Sequence, residues 1–208
     1  ISTYNKALKS VEHYLPADDE LNFVKDDIDT LINSCTSGVD RVAEIVSNLS
    51  SFARKEEADD LRIVNLNTVL DESVKVAWSN IKYNCDVEVI TDEQLPNING
   101  HKGELQQVFI NLLINAVHSI NEQGKITIKS WFDTKVHVSI SDNGCGMDEE
   151  TLNKVFEPFF TTKPEGKGTG LGLSVSYAII EHHQGEINVT SKINQGTTFK
   201  LSFPIPIQ

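Results

Sequence analysis

Apolar side chains recur in steps of three and four from residue 21 to 55: Ile28, Leu31, Cys35, Val39, Val42, Ile45/Val46, Leu49 and Phe52. That spacing is the seam of a helical bundle or coiled coil and predicts one long helix. Asp26, Asp27 and Asp29 fall in its first turns and Arg54 and Lys55 in its last, the arrangement the helix dipole favours. Tyr4, Leu8, Val11 and Leu15 carry the same spacing before Pro16, and "PADDE" reads as a turn. A helical hairpin with unequal arms is expected, roughly 50 Å and about 20 Å long at 1.5 Å per residue. More than half of the long seam then lacks an antiparallel partner. A second subunit, or a first helix that begins upstream of Ile1, is expected to cover it; a single helix packed on its own domain is the alternative.

From Leu61 the pattern becomes mixed. "NLNTVLDESVKVAW" reads as a helix opened at Asn67, and "DVEVIT" alternates as a strand. "GELQQVFINLLINAVHSINEQG" reads as a helix closed by Gly124. "KITIKSWF" and "VHVSISD" read as an antiparallel pair, residues 151–156 as a short helix and 163–170 as a loop. "LGLSVSYAIIEHHQG" reads as a helix ending at Gly185, and "EINVTS" and "TTFKLSFP" as a hairpin. These elements predict an α+β sandwich, with helices on one face of a mostly antiparallel sheet.

The 208 residues hold one full domain plus a smaller element. A net charge of −12 argues against nucleic acid as a partner, because its phosphates would be repelled. Cys35, Cys85 and Cys145 show neither a metal spacing nor a disulfide framework, so a reducing, cytoplasmic setting is expected. No apolar run is long enough to span a bilayer, although the chain could be the inner part of a longer membrane protein.

Candidate chemistry begins with "GKGTGLGLS", where Gly166, Gly168, Gly170 and Gly172 stand at every second position. The entropic cost of such a run is usually repaid by close backbone approach, most often to phosphate. A Walker loop requires Ser or Thr after Gly-Lys, but Gly168 follows Lys167. The dinucleotide fingerprint and the eukaryotic-type protein kinase motifs are also missing. Three further stretches add to it. In "NLLINA", Asn111 and Asn115 share one face of an otherwise apolar helix and need partners; an amide oxygen is a ligand Mg²⁺ accepts beside water and phosphate. In "SDNGCGM", Asp142 ends a strand where it can accept from a purine amino group, and Gly144 and Gly146 allow close approach. "FEPFFTTK" clusters three phenylalanines as a lid anchor or simply as core.

In this order and spacing the four stretches, with "GTTF" at Gly196 to Phe199, resemble the N, first glycine, F and second glycine boxes of bacterial sensor histidine kinases. The resemblance covers residues 61–208 as a catalytic ATP-binding domain, and residues 1–57 resemble part of the dimerisation and phosphotransfer hairpin. It implies a Bergerat ATP-binding sandwich, shared with gyrase, a heat-shock chaperone and mismatch-repair ATPases. It implies ATP and Mg²⁺ as cofactors. Asp142 would take the adenine amino group with Gly144, Gly146 and Thr197 assisting. Asn115 would hold Mg²⁺ with support from Asn111, and His118 would lie on the phosphates. Lys163 and Lys167 would offset phosphate charge from the lid. Gly168, Thr169, Gly170, Leu171, Gly172 and Leu173 would form the phosphate-facing loop and helix start, a mobile lid laid against the triphosphate. The implied partners are dimerisation helices of its own or a second subunit in a homodimer, and a response-regulator receiver domain.

The implied reaction is transfer of the ATP γ-phosphate to a histidine. Hydrolytic relatives carry a glutamate base four residues before the Mg²⁺ asparagine; here that position is Asn111, which cannot take a proton from water at neutral pH. Asn111 and His118 are therefore the catalytic candidates for transfer. A nucleotide-driven conformational switch or ATPase is the alternative. None of the six histidines sits in the family's acceptor context. His13 reads as a surface residue, and the acceptor is expected upstream of Ile1. His182 and His183 read as an exposed helix end rather than a metal pair.

Overall fold

The computed structural model describes residues 26–36, 38–39, 42, 61–164 and 168–206. Internal contacts divide the chain into two compact units, Ile1–Glu44 and Ile45–Gln208. In the first, residues 26–36 are helical. The hydroxyls of Thr30, Ser34 and Thr36 each donate to the carbonyl four residues back. The seam residues Leu31, Cys35, Val39 and Val42 are exposed. The expected first arm, and the long helix beyond Val42, lie outside the described residues.

The second unit begins with a three-residue strand, β1 (Arg62–Val64), and helix α1 (Leu66–Ile81). The cap of α1 is Asn65, whose side chain accepts from the Thr68 N–H. The expected opener, Asn67, lies inside the helix. Its amide instead bonds the Asp92 carbonyl and the Ser130 hydroxyl, so its polarity serves tertiary contacts rather than a cap. Strands β2 (Cys85–Thr91) and β3 (Ile98–Gly100) follow. β3 pairs antiparallel with β1 as a separate two-stranded sheet that the sequence pattern did not announce.

Helix α2 (Lys102–Ser119) ends five residues before the expected glycine. Ile120 is already extended, and Gly124 opens strand β4 (Gly124–Phe132), opposite Cys85 of β2. Strand β5 (Val136–Asp142) pairs antiparallel with β4 as expected. Helices α3 (Glu149–Lys154) and α4 (Gly172–His182) precede the hairpin of β6 (Glu186–Lys192) and β7 (Gly196–Phe203).

The five-stranded sheet runs β2-β4-β5-β7-β6. It is mixed, because β2 is parallel to β4 while the other pairs are antiparallel. Alternation along the strands sends Ile126, Ile128, Val138, Ile140, Phe199 and Leu201 into one core with Val108, Phe109, Leu112 and Leu113 of α2. α2 lies on this face of β4, β5 and β7, α4 contacts β6, and α1 packs on α2. Burying such side chains contributes about 1.5–3 kcal/mol each. The layer fixes α2 over the ends of β5 and β7, where the candidate site lies.

Candidate functional site

Asp142 is the last residue of β5 and half-buried. Its Oδ1 accepts from the Ser119 hydroxyl at 2.9 Å, the Gly144 N–H at 2.8 Å and the Thr197 N–H at 3.3 Å. These neighbour bonds all end on one oxygen, which leaves Oδ2 to receive a donor from a ligand. Burial lifts the carboxyl above its ordinary range, against the opposing pull of the Gly144, Ser119 and Thr197 hydrogen bonds. The wall beside it is closely built. Gly146 has φ +66°, and a Cβ there would stand 2.0 Å from the Lys192 carbonyl oxygen. Both facts require glycine. The Ser191 hydroxyl receives the Met147 N–H at 2.8 Å and touches the buried Thr197 hydroxyl at 2.9 Å. The Cys145 N–H donates to Ser119 O. Asp142, Gly144, Gly146 and Thr197 thus come together as one corner.

Asn111 and Asn115 lie one turn apart on α2, both half-buried. The Asn111 Nδ2 donates to the Ser176 hydroxyl of α4 at 2.9 Å. The Asn115 Nδ2 reaches Asn111 Oδ1 only at 3.5 Å, and no described residue bonds the Asn115 carbonyl oxygen. A neutral, hard oxygen without a protein partner fits a Mg²⁺ that keeps water and phosphate as its other ligands. At Gly172 a Cβ would stand 2.4 Å from Asn111 Oδ1. This glycine lets α4 close on the amide, so its role in the structure is helix approach. One further turn along α2, Ser119 completes the polar face that ends at Asp142. The i, i+4, i+8 spacing of Asn111, Asn115 and Ser119 is the signal that could have found it.

Beyond α2, the exposed His118 meets Lys163, whose Nζ lies 2.8 Å from the ring Nδ1. With an ammonium as donor, Nδ1 is the acceptor and the imidazole is neutral. Desolvation first, and the Lys163 charge second, push this imidazole below its ordinary value. Lys167 and Gly166 lie outside the described residues. Gly168 sits against the Thr161 side chain. Gly170, at φ +65°, accepts the Phe159 N–H through its carbonyl at 2.9 Å. Leu171 caps α4, with the Thr169 hydroxyl at 3.5 Å from its N–H. Leu173 packs against the core. Of the phenylalanines, Phe156 is the anchor, in contact with Tyr177 and Phe199. Phe159 is 71% exposed and has φ +67°.

The reading of His182 and His183 as an exposed helix end is corrected: His182 is half-buried and His183 is buried. Its Nδ1 lies 2.7 Å from the Ile179 carbonyl and its Nε2 accepts the His101 N–H at 2.9 Å. Glu104 lies 3.3 Å from the His182 ring. Glu104, His182 and His183 are close enough together to share a cation. However, both His183 nitrogens are already satisfied by backbone, so the histidine ties β3 to the end of α4 instead. Burial holds it below its ordinary value.

Comparison with known proteins gives a consistent result. Residues 100–207 match the family described as "Histidine kinase-, DNA gyrase B-, and HSP90-like ATPase". Signal transduction histidine-protein kinase AtoS of Escherichia coli K12 is 40% identical over 170 residues, which are 80% of this chain and 28% of that protein. Sporulation kinase A of Bacillus subtilis 168 is 39% identical over 170 residues, 81% of this chain and again 28% of its own length. The chain therefore spans under a third of these relatives. The solved catalytic domain of histidine kinase ThkA superposes with a TM-score of 0.62 at 37% identity, covering 70% of this chain and 95% of that one.

Proposed function

Because this chain belongs to the family of histidine kinase-, DNA gyrase B- and HSP90-like ATPases, we propose that it is the ATP-binding catalytic portion of a sensor histidine kinase, passing the ATP γ-phosphate to a histidine on a dimerisation helix. Its second unit has the histidine kinase ATPase-domain fold, a Bergerat-type sandwich. The observation that carries the transfer reading is at Asn111. The only carboxylate on α2 is Glu104, which is two turns away and engaged with His182. Asn111 itself is an amide bonded to Ser176. No carboxylate on this helix stands where the hydrolytic relatives carry their glutamate base, which disfavours base-assisted hydrolysis, while transfer to a docked imidazole needs no base from the ATP side.

In this reading Asp142 Oδ2 takes the adenine amino group, with Gly144, Gly146 and Thr197 walling the ring. Asn115, supported by Asn111, holds Mg²⁺, which neutralises phosphate charge when bound. His118 and Lys163 face the phosphates, Lys167 adds charge, and the stretch from Gly168 to Leu173 lays backbone N–H groups along them. Residues 1–57 serve as part of the dimerisation hairpin and 61–208 as the catalytic domain. The exposed seam of Leu31, Val39 and Val42 supports a second copy as its cover. A response-regulator receiver domain is the onward acceptor, and the setting is cytoplasmic. No described helix is long and apolar enough to cross a membrane.

The test supplies a separate helical fragment bearing an acceptor histidine, together with radiolabelled Mg-ATP. Acid-labile label on the fragment, dependent on Asp142, is the expected result. Rapid phosphate release without label would instead identify a nucleotide-driven switch.

A further inference from the structure

Helices α2 and α4 are joined by side chains at both ends of their contact. On the side of the nucleotide corner, Asn111 Nδ2 donates to Ser176 Oγ and Gly172 closes on the Asn111 amide. At the far end the joint is a single imidazole. His183 caps the C-terminus of α4 and is buried. Its Nδ1 lies 2.7 Å from the Ile179 carbonyl oxygen, an acceptor, so Nδ1 carries the proton. Its Nε2 is then the free lone pair, and it accepts the His101 N–H at 2.9 Å. His101 is the N-cap of α2 and makes no side-chain cap bond. In a capping box the third helical residue, here Glu104, would accept this N–H. Glu104 turns to His182 instead, and the imidazole of another helix takes its place. The ring also lies against Gly100, where a Cβ would stand 2.8 Å from its Cδ2.

We propose that His183 is an acid-released latch: a solvent proton taken up at Nε2 removes the acceptor of the His101 N–H, sets two donors head to head and frees the end of α4 from the start of α2. Nδ1 offers no second place for the proton, because it already holds one. Three titratable side chains face the ring, His101 and Glu104 from α2 and His182 from α4. Glu104 alone favours a charged ring, and its Oε2 is nearer to His182 Nδ1, at 3.3 Å, than to His183 Nδ1, at 3.9 Å. The rings of His182 and His101, at 5.5 and 6.2 Å, repel it when charged. Burial above all holds the His183 imidazole below its ordinary value of 6.5. Its contribution to stability is therefore present above 6.5 and is lost as pH falls through the lower folded value. Release is confined to the far end, since the Asn111–Ser176 bond contains no titratable group. The latch depends only on the contact of α2 with α4, so it stands independently of the kinase reading.

The test uses the whole 208-residue chain. Amide hydrogen exchange gives the protection of the His101 N–H, and nitrogen resonances of the labelled imidazoles give the protonation of His183, both from about pH 7 to about pH 5. The protection of His101 is expected to fall roughly tenfold or more over this range, while amides in the middle of α2 keep theirs. His183→Gln places an amide oxygen where Nε2 stood and cannot titrate, so its His101 protection should stay level. His101→Gln and His182→Gln leave the latch in place and should keep the fall. A level profile in the parent chain, or the same fall in His183→Gln, overturns the proposal. So does a fall that disappears in His182→Gln or His101→Gln. Should His183→Gln not fold, the parent chain decides: protonation at Nε2 and loss of His101 protection must share one midpoint. A ring that charges while the His101 N–H stays protected overturns the latch.

Discussion

Around Asp142, three donors converge on one carboxylate oxygen, and the wall at Gly146 leaves no room even for a methyl group. Around Asn115 the amide pair meets only at 3.5 Å, its outer oxygen has no partner among the described residues, and the flexible Lys163 ammonium reaches the exposed His118 ring at 2.8 Å. Both regions are polar and both flank α2. The first is fixed by three internal bonds on Oδ1 and a close backbone wall, so its one open acceptor, Oδ2, is preformed; the second rests on one long amide contact and a long lysine side chain. A purine ring has one shape and needs a fixed slot, whereas a triphosphate with its cation changes charge and geometry during transfer and is served by groups that can regroup.

The comparison breaks most visibly at Gly146. Gly146→Val places a branched side chain at φ +66° and against the Lys192 carbonyl. A destabilisation of at least about 2 kcal/mol is expected from the backbone conformation and the overlap together. Thermal unfolding measures it, and an unchanged midpoint would mean that the corner is not rigid. At the other end, Asn115→Ala should leave thermal stability nearly unchanged and weaken Mg-ATP binding about tenfold, in the range for groups that support a bound ion. Calorimetry with and without Mg²⁺ separates the two effects; equal weakening without Mg²⁺ would remove Asn115 from the cation. Ser176→Ala lies between the regions. It strips Asn111 of its partner at 2.9 Å and should cost about 1 kcal/mol of stability.

The smallest effect is in the pH dependence, and its sign differs between two carboxylates. Burial raises the Asp142 pKa above its unfolded value of 3.8. Its contribution to stability is present below that value and is lost as pH rises through the higher folded value. Nucleotide binding needs the ionised form and should therefore begin to fall above pH 3.8 on acidification. Asp133, in the turn between β4 and β5, is depressed first by the Lys135 N–H and then by His137. Its contribution is present above 3.8 and is lost as pH falls through the lower folded value. Asp142→Asn should abolish the first dependence alone, as followed by nucleotide affinity and thermal midpoint across pH 3 to 7.

Much of this was legible in the sequence because periodicity reports burial. The β4–β5 pair, the β6–β7 hairpin and α4 follow directly from alternation and from the three-four spacing. The parallel partnership of β2 and β4 was not legible, since strand direction is set by tertiary pairing and leaves no local pattern. β1 and β3 are three residues each, too short to alternate. Gly124 misled because glycine commonly closes helices; here Ile120 had already turned extended and Gly124 serves the strand. In the site, the charged and amide residues stood out against their apolar surroundings. The hydroxyls that orient them, Ser119, Ser176 and Ser191, carry no charge and sit in segments where serine is unremarked. Of these only Ser119 had a usable signal, its helical spacing from Asn111 and Asn115. His183 was misread because helix ends are usually exposed, while this one is pinned by the His101 N–H from outside the helix.

The central claim is that Asp142 Oδ2 is the open acceptor of a preformed purine slot. The relative affinity for ATP and GTP, measured by competition in the parent chain and in Asp142→Asn, tests it most directly. Adenine offers an amino donor where guanine presents an oxygen, so the parent should prefer ATP by about tenfold to a hundredfold, the worth of a hydrogen bond to a charged group. In the variant Oδ1 can keep its three internal bonds, while the new amide turns donors outward, toward the adenine amino group and in favour of the guanine oxygen. Loss or reversal of the preference, with unchanged circular dichroism, is the predicted result. The same ATP-to-GTP ratio in both proteins would contradict the account.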